Sequence, residues 1–458
     1  MKYSNKFRNP LTFFLFTIIL VVSCQKDVTK GQNSQEEIAT AANSSHGHLQ
    51  QTKTFSSEVA RKWHDLQLRI LRITGANPYG LNGNRYFAYF GIALYESVVP
   101  GMPNYQSLYG QLTNMPAMPS TEPGRAYHWP ATANSALASL TKNFYTLASS
   151  AHKASIDSLE NALKNQFQQQ VNEATFQRSE NFGKQIAQLV FDWSKTDGAL
   201  TVWPVYTMTS DITKWRPVAP NPTTVSAPYW GYNRLFVPGS TNNTASPLPP
   251  PYSTDPNSSY YQMVKEVYDI SQTLTADQIA TALYFRDNPG FQAGTHYQYI
   301  FNQVMNDEDP QLDLYALAQA KVAIAMAESQ IDCWKKKYDV LTDRPTRYIR
   351  DVMGHTGWSS LLAMPNHPDF PSGHSQTGGS FAEVMTSLFG NDYNITLHTY
   401  DNLGMAPRPY NSFNEMAEDI GRSRVFGGIH YTYSCTEGMR QGQKIAQNIL
   451  NTLKFKKD

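Results

Sequence analysis

Apolar side chains recur at the spacing of helical turns through most of this chain, and this periodicity restricts the fold more than any other feature. Within residues 59–73, Trp63, Leu66 and Ile70 lie three or four residues apart, which places them on one face of an α-helix. The same spacing predicts further helices at residues 84–99, 133–147, 152–168, 172–195, 260–274, 275–286, 312–337, 375–388, 412–424 and 434–453. Strand signals are few, so we predict an all-α fold.

The periodicity stops between Thr201 and Ser258. Pro, Thr, Ser and Asn dominate this stretch, together with aromatic residues such as Trp203 and Tyr229. A segment of this length without regular structure is unusual in a compact domain and often packs over a functional face. The favoured interpretation is nevertheless an ordered coat around the helices with no part in catalysis.

Composition fits a globular protein and excludes one class of partner. The 458 residues are 41% hydrophobic, which is enough for a large buried core. Lys and Arg total 38 against 37 Asp and Glu, for a net charge of +1. The chain therefore lacks the basic field that attracts nucleic acid, and no nucleic-acid-binding motif is visible.

The N-terminus carries an export signal. Lys2, Lys6 and Arg8 precede an apolar run at residues 11–22 that is followed by Cys24, the arrangement of a cleaved signal peptide. It resembles a bacterial lipoprotein signal, which implies lipidation of Cys24 and an exported protein at the outer membrane, on its periplasmic or cell-surface side. An ordinary signal peptide with an incidental cysteine is the alternative.

These observations predict four regions and a membrane contact through the lipid at Cys24 alone, since no later apolar run is long enough to span a bilayer. The oligomeric state is left open. The predicted regions are a signal peptide at 1–24, a flexible tether at 25–55, an N-terminal helical region at 56–258 that includes the irregular segment 201–258, and a catalytic helical bundle at 259–458.

Three short segments near the C-terminus combine cations, small hydrogen-bond donors and histidines. The segments are 337–345, 371–374 and 423–430. Together they predict a pocket for a tetrahedral oxyanion with imidazoles that can act as acid, base, nucleophile or ligand. The residues concerned are Lys337, Arg344, Ser372, Gly373, His374, Arg424 and His430.

The spacing within each segment has structural consequences. Lys337 and Arg344 are seven residues apart, so one helix would present both on one face, and Pro345 would mark its end. Gly373 precedes helical sequence, where free backbone amides can face an anion. Arg424 and His430 are six apart and reach one site only if the chain bends between them.

This pattern resembles the signature of the superfamily that contains type 2 phosphatidic acid phosphatases and vanadium-dependent haloperoxidases. It consists of Lys337, six residues and Arg344-Pro345, then 371–374, then Ser423-Arg424, five residues and His430. The resemblance implies two four-helix-bundle-like halves. It also implies that His430 is the phosphate nucleophile or the vanadate ligand and that His374 transfers protons.

The resemblance further implies that the cations, Ser372 and Gly373 hold the oxyanion. Lys337 would also polarise peroxide bound to vanadate. One position departs from the pattern. Many members place an Asp four residues after the final histidine, whereas this chain has Ser434, so the carboxylate partner of His430 is missing from the expected place.

Three residues resemble elements of the haloperoxidase branch. Trp334 lies one helical turn before Lys337, His367 stands where bromide- and iodide-using members tend to have histidine, and Asp287 resembles a buttress of the anion-binding arginines. The alternatives are a core aromatic, a loop histidine and a helix-ending Asp before Pro289.

Two cysteines, Cys333 and Cys435, lie in the exported part of the chain. Both are close in sequence to the predicted site. A disulfide and two separate buried thiols are both compatible with the sequence.

The favoured function is a vanadate-dependent haloperoxidase that uses hydrogen peroxide and iodide or bromide and halogenates a small organic acceptor. The main alternative is an acid phosphatase that forms a phosphohistidine at His430. A lipoprotein that binds glycans or nutrients is a third possibility, but it leaves His374 and His430 without a role.

Overall fold

The computed structural model describes residues 50–72, 79–218, 225–287 and 295–457. Within them the structure is almost entirely helical, which confirms the predicted all-α class. The signal peptide, the lipidation site Cys24 and nearly all of the tether lie outside the described residues and stay predictions. No helix in the described part of the chain is long and apolar enough to span a membrane.

The first five helices form the N-terminal bundle. Helix α3 occupies its centre and packs against α1, α2, α4 and α5, as the apolar stripes predict. The bounds of these helices are α1 Glu58–Leu71, α2 Asn82–Val98, α3 Trp129–Phe144, α4 Ser150–Gln168 and α5 Glu173–Ser194.

The remaining helices build the C-terminal half, in which α9, α11, α12 and α13 pack together as a second bundle. Their bounds are α6 Ser259–Gln272, α7 Ala276–Tyr284, α8 His296–Glu308, α9 Leu312–Val340, α10 Pro345–Asp351, α11 Gly373–Phe389, α12 Phe413–Phe426 and α13 Thr432–Thr452. Two short strands, β1 Ile395–Leu397 and β2 Arg408–Tyr410, pair antiparallel between α11 and α12.

Two of these helices are missing from the sequence-based prediction. Helix α8 has Tyr297, Ile300 and Val304 at helical spacing, all three fully buried, so the signal was present. Helix α10 has only seven residues, which is too short for a periodic pattern to appear.

Helix α9 joins the two halves. It runs for 29 residues and packs against α2 of the N-terminal bundle and against α11 of the C-terminal one. Residues 47–458 accordingly form one compact unit. The predicted boundary at 258/259 is the point where helical periodicity returns in the sequence. A division into separate domains there stays a prediction.

Glycines allow α11 and α13 to approach closely. A Cβ on Gly379 would lie 2.2 Å from the Met439 carbonyl oxygen, and one on Gly442 would lie 1.9 Å from that of Gln376. Neither position accepts a larger side chain without separating the helices. This close contact fixes the start of α11 beside the start of α13, where the predicted site residues lie.

Candidate active site

The first predicted segment crosses a helix boundary. Helix α9 ends at Val340, Leu341 adopts a left-handed conformation (φ 57°), and Arg344 is the N-cap of α10 with Pro345 at its first position. The prediction that Lys337 and Arg344 leave one helix that ends at Pro345 is therefore wrong. Pro345 begins a helix instead, which is a position that proline favours.

Lys337 and Arg344 nevertheless converge on one loop. Lys337 Nζ donates to the carbonyl oxygens of Pro368, Asp369 and Pro371, the first two at 2.8 and 2.7 Å. Arg344 Nε donates to the His367 carbonyl oxygen at 2.8 Å. Both cations are fully buried, so these acceptors offset the cost of removing the charges from water.

The second segment forms the start of α11. Ser372 is its N-cap, with Oγ accepting from the backbone N–H of Ser375, and Gly373 is its first residue. This matches the predicted helix N-terminus, where unpaired amides carry partial positive charge.

The third segment bends as predicted. Helix α12 ends at Phe426, two residues after Arg424, and Gly428 takes a left-handed conformation at φ 72°. A Cβ on Gly428 would lie 3.1 Å from Ser360 Cβ. The turn brings His430 back so that its Nε2 lies 3.4 Å from Arg344 Nη1.

A cavity of about 390 Å³ gathers most of the predicted side chains. Arg424, His374 and His430 line it. Trp334 and His367 line it together, with ring centroids 5.2 Å apart. The other lining residues are Gly80, Leu81, Ser226, Ala227, Asp287, Pro365, Gly373 and Thr377.

Three predicted anion-binding residues do not line this cavity. Lys337, Arg344 and Ser372 are completely buried behind it. Lys337 gives each of its three protons to a carbonyl, so its predicted contact with bound peroxide requires it to exchange one of these partners. Arg344 reaches the cavity wall through its contacts with His367 Nδ1, at 3.1 Å, and His430 Nε2.

Asp369 supplies the carboxylate beside His430 that the sequence does not have at position 434. Its Oδ1 lies 2.7 Å from His430 Nδ1, and its Oδ2 accepts a hydrogen bond from Ser434. Asp369 was not predicted, because the family signature places the carboxylate four positions after the histidine. The acidic residue within the loop 367–372 was the available signal.

The protonation state of His430 follows from its surroundings. Burial lowers the pKa of His430 well below 6.5, and the nearby charges of Arg344 and Lys337 lower it further. A neutral ring carries one N–H, and Asp369 can only accept it at Nδ1 when ionised. Nε2 therefore keeps its lone pair on the side that faces Arg344 and the cavity.

His374 forms a second histidine–carboxylate pair. Its Nε2 lies 2.9 Å from Asp287 Oδ1. Burial and the charge of Arg424 lower the pKa of His374, while Asp287 raises it, so the ring is neutral near neutral pH. With Nε2–H donated to the carboxylate, Nδ1 is the ring atom that can accept a proton. Asp287 was predicted to support the anion-binding arginines, and in the structure it also contacts His374.

The irregular segment takes part in the cavity wall. Ser226 and Ala227 line it, and the Ser226 N–H donates to the Asn366 carbonyl oxygen at 2.9 Å. Tyr338 of α9 donates its hydroxyl to the Ser226 carbonyl. Of the two interpretations of this segment, the structure supports packing over the functional face.

Cys333 and Cys435 are buried free thiols. Cys333 Sγ lies 3.7 Å from the Pro371 carbonyl oxygen, and Cys435 packs near Ser375. Burial raises the pKa of each to about 11. Of the two alternatives that the sequence left open, the structure has two separate buried thiols and no disulfide between Cys333 and Cys435.

The donor set suits a tetrahedral oxyanion. Arg424 Nε and Trp334 Nε1 are buried without a hydrogen-bond partner among the described residues, and unsatisfied buried donors are costly unless a ligand meets them. The Gly373 amide, the Arg424 guanidinium and the lone pair of His430 Nε2 all belong to the cavity wall. These residues are chemically suited to vanadate, because they offer cationic and neutral donors and an imidazole lone pair.

Comparisons with known proteins point to one family. Residues 318–456 match the family described as "VCPO second helical-bundle domain". The crystal structure of the first bacterial vanadium-dependent iodoperoxidase aligns with a TM-score of 0.78 and 27% identity, covering 88% of this chain and 98% of that one. Together these matches support a vanadium-dependent haloperoxidase.

More distant members of the family share the fold. A holo-type bacterial vanadium-dependent chloroperoxidase aligns with a TM-score of 0.62 at 17% identity, covering 83% of this chain and 94% of that one. The vanadium-dependent bromoperoxidase of Ascophyllum nodosum is 28% identical over 99 residues, which are 19% of this chain and 18% of the length of that relative. The vanadium dependence of these similar proteins implies a vanadate cofactor.

Proposed function

We propose that this chain is a vanadate-dependent haloperoxidase that oxidises iodide or bromide with hydrogen peroxide. The overall reaction is H2O2 + X⁻ + H⁺ → HOX + H2O, and the hypohalous acid then halogenates a small organic acceptor. The observation that carries the proposal is the arrangement of His430 and His374 in one cavity, each paired with its own carboxylate, with Arg424 on the same wall.

His430 holds the cofactor through Nε2, because Asp369 occupies its Nδ1 side. Bound vanadate would supply a Lewis-acidic centre that activates hydrogen peroxide toward halide, while the oxidation state of vanadium stays the same. Arg424 and the Gly373 amide balance the negative charge from the cavity wall. Arg344 contributes its charge from behind the two histidines His367 and His430.

His374 moves the protons. Its Nδ1 would accept a proton from hydrogen peroxide and return it to the oxygen that leaves as water, and solvent supplies the one further proton that the overall reaction consumes. Asp287 holds the ring in the tautomer that leaves Nδ1 available. The partly exposed Asp287 side chain, at 40%, also connects this pair to solvent.

The choice of iodide or bromide is supported by His367. Its ring packs on Trp334 at the cavity wall, and its Nδ1 accepts from Arg344 Nη2. A polar ring at this position changes the field that a halide meets as it approaches. The iodoperoxidase with 27% identity is consistent with this choice.

The decisive experiment uses protein that begins at Cys24, loaded with orthovanadate. We expect hydrogen peroxide with iodide or bromide to give oxidised halide only after loading, and His430→Ala to lower this rate by at least about 100-fold. Turnover of a phosphomonoester that vanadate inhibits, without halide oxidation, would identify an acid phosphatase instead. Lys62→Ala, on the exposed face of α1, is the control that should leave the rate unchanged.

A further inference from the structure

The carboxylate beside His430 does not come from position 434, four residues after the histidine, but from another part of the chain. Asp369 lies in the loop before α11, whereas Ser434 lies in α13, four residues after His430. The two meet through the hydrogen bond from Ser434 Oγ to Asp369 Oδ2. Asp369 is wholly inaccessible to solvent and Ser434 equally so.

The backbone of Asp369 is anchored at two further points. Its N–H donates to the Thr342 carbonyl oxygen at 3.0 Å, and its carbonyl oxygen accepts from Lys337. The residue is therefore held from three sides: α13 contacts its side chain, while the end of α9 and the segment that leads into α10 contact its backbone. Such a carboxylate has little freedom to turn away from the imidazole.

We propose that Asp369 is the positioning residue of His430, which fixes the Nδ1–H tautomer, and that Ser434 orients this carboxylate. The Asp369–Ser434 pair thereby replaces a single carboxylate at position 434. Asp369 Oδ1 and His430 Nδ1 lie 2.7 Å apart as an ion-pair contact, without the alignment of a hydrogen bond. Because an ionised carboxylate can only accept a proton, this contact favours N–H at Nδ1 and leaves the lone pair at Nε2 of a ring that lines the cavity. Asp369 does not touch the reacting atoms and acts through His430.

Only the vanadate-affinity measurement below rests on the proposed function. The tautomer of His430 can be measured in the protein without any ligand. Histidine labelled with ¹⁵N distinguishes Nδ1–H from Nε2–H by chemical shift, and His430→Gln assigns the signal. We expect the Nδ1–H tautomer in the wild type. An Nε2–H ring at His430 would overturn the inference, whether or not the protein oxidises halides.

Two variants then test the carboxylate itself. Asp369→Asn keeps the shape but offers an amide N–H to Nδ1, so we expect the Nε2–H tautomer and a loss of vanadate affinity of about 10- to 100-fold by titration calorimetry. Adding Ser434→Asp to this variant moves the carboxylate to α13. The double variant should regain the Nδ1–H tautomer and most of the affinity.

A matched control separates positioning from general damage. Glu328 is another fully buried carboxylate, which accepts from the Val237 N–H and from Ser240 and does not line the cavity. Glu328→Gln should leave both the tautomer and the vanadate affinity as in the wild type. If Asp369→Asn gives the wild-type tautomer and affinity, or if the double variant folds but shows no recovery, Asp369 is not the positioning residue.

Discussion

At the scale of single residues, burial and pairing decide the chemistry of the site. His367, His374 and His430 are three imidazoles with lowered pKa values, and burial is the main cause for each. Their neighbours differ. His374 and His430 face carboxylates, whereas the Nδ1 of His367 accepts from Arg344. Identical side chains thus acquire different roles from their contacts.

The role of His367 can be separated from its bulk. His367→Phe keeps a ring against Trp334 and removes the acceptor of Arg344 Nη2, so we expect the ratio of iodide to bromide oxidation rates to change by about fivefold or more, roughly 1 kcal/mol. Steady-state rates with each halide measure it. His355→Phe, at a histidine that stacks on Tyr268 and does not line the cavity, should leave the ratio unchanged. Equal ratios in all three proteins would remove His367 from halide selection.

At the scale of elements, helix ends rather than helix faces assemble the site. Arg344 caps α10, Ser372 caps α11, and Arg424 lies near the end of α12. Helix ends expose unpaired amides and allow the chain to turn sharply, so residues distant in sequence reach one cavity.

The bend can be tested with two glycines of the same backbone conformation. Gly428 and Gly404 both have φ 72°, but a Cβ on Gly428 would meet Ser360 at 3.1 Å, whereas one on Gly404 would meet nothing within 4 Å. Replacement by Ala should cost about 1 to 2 kcal/mol of stability at either position from backbone strain. Only Gly428→Ala should also weaken vanadate binding, because it displaces His430. Equal affinities in the two variants would contradict this account.

At the scale of the whole molecule, the structure buries histidines outside the site as well. His64 lies in the N-terminal bundle, stacked on Phe87 with ring centroids 4.8 Å apart, and its Nε2 lies 3.2 Å from the Gln298 carbonyl oxygen. Burial lowers the pKa of His64 from 6.5 to about 3. Between these values the unfolded chain binds a proton at this residue and the folded chain does not.

Acid should therefore destabilise the fold through His64. A lowered histidine pKa means that stability is complete above pH 6.5 and falls as the pH decreases toward 3. Relative to His64→Gln, we expect the wild type to lose about 1 kcal/mol per pH unit between pH 6 and 4, measured by denaturant unfolding. His152→Gln, at a partly exposed position on α4, is the control. A difference between wild type and His64→Gln that does not vary with pH would show that His64 is protonated in the folded protein.

The sequence by itself determined the helical class, most helix positions, the three catalytic segments and the family resemblance. These follow from local rules, because apolar periodicity, capping residues and motif spacing are all readable within short windows. The bend between Arg424 and His430 was predictable for the same reason, since glycine at that point permits a left-handed turn.

Only the tertiary structure decided which residues meet. In the structure, Lys337 donates to carbonyl oxygens behind the cavity, and Arg344 lies at the start of another helix. Asp369, and not residue 434, provides the carboxylate beside His430. Each of these depends on contacts between segments far apart in sequence, and such contacts are set by the packing of whole helices. A carboxylate is needed beside His430 on chemical grounds, but which chain segment provides it is a matter of geometry in three dimensions.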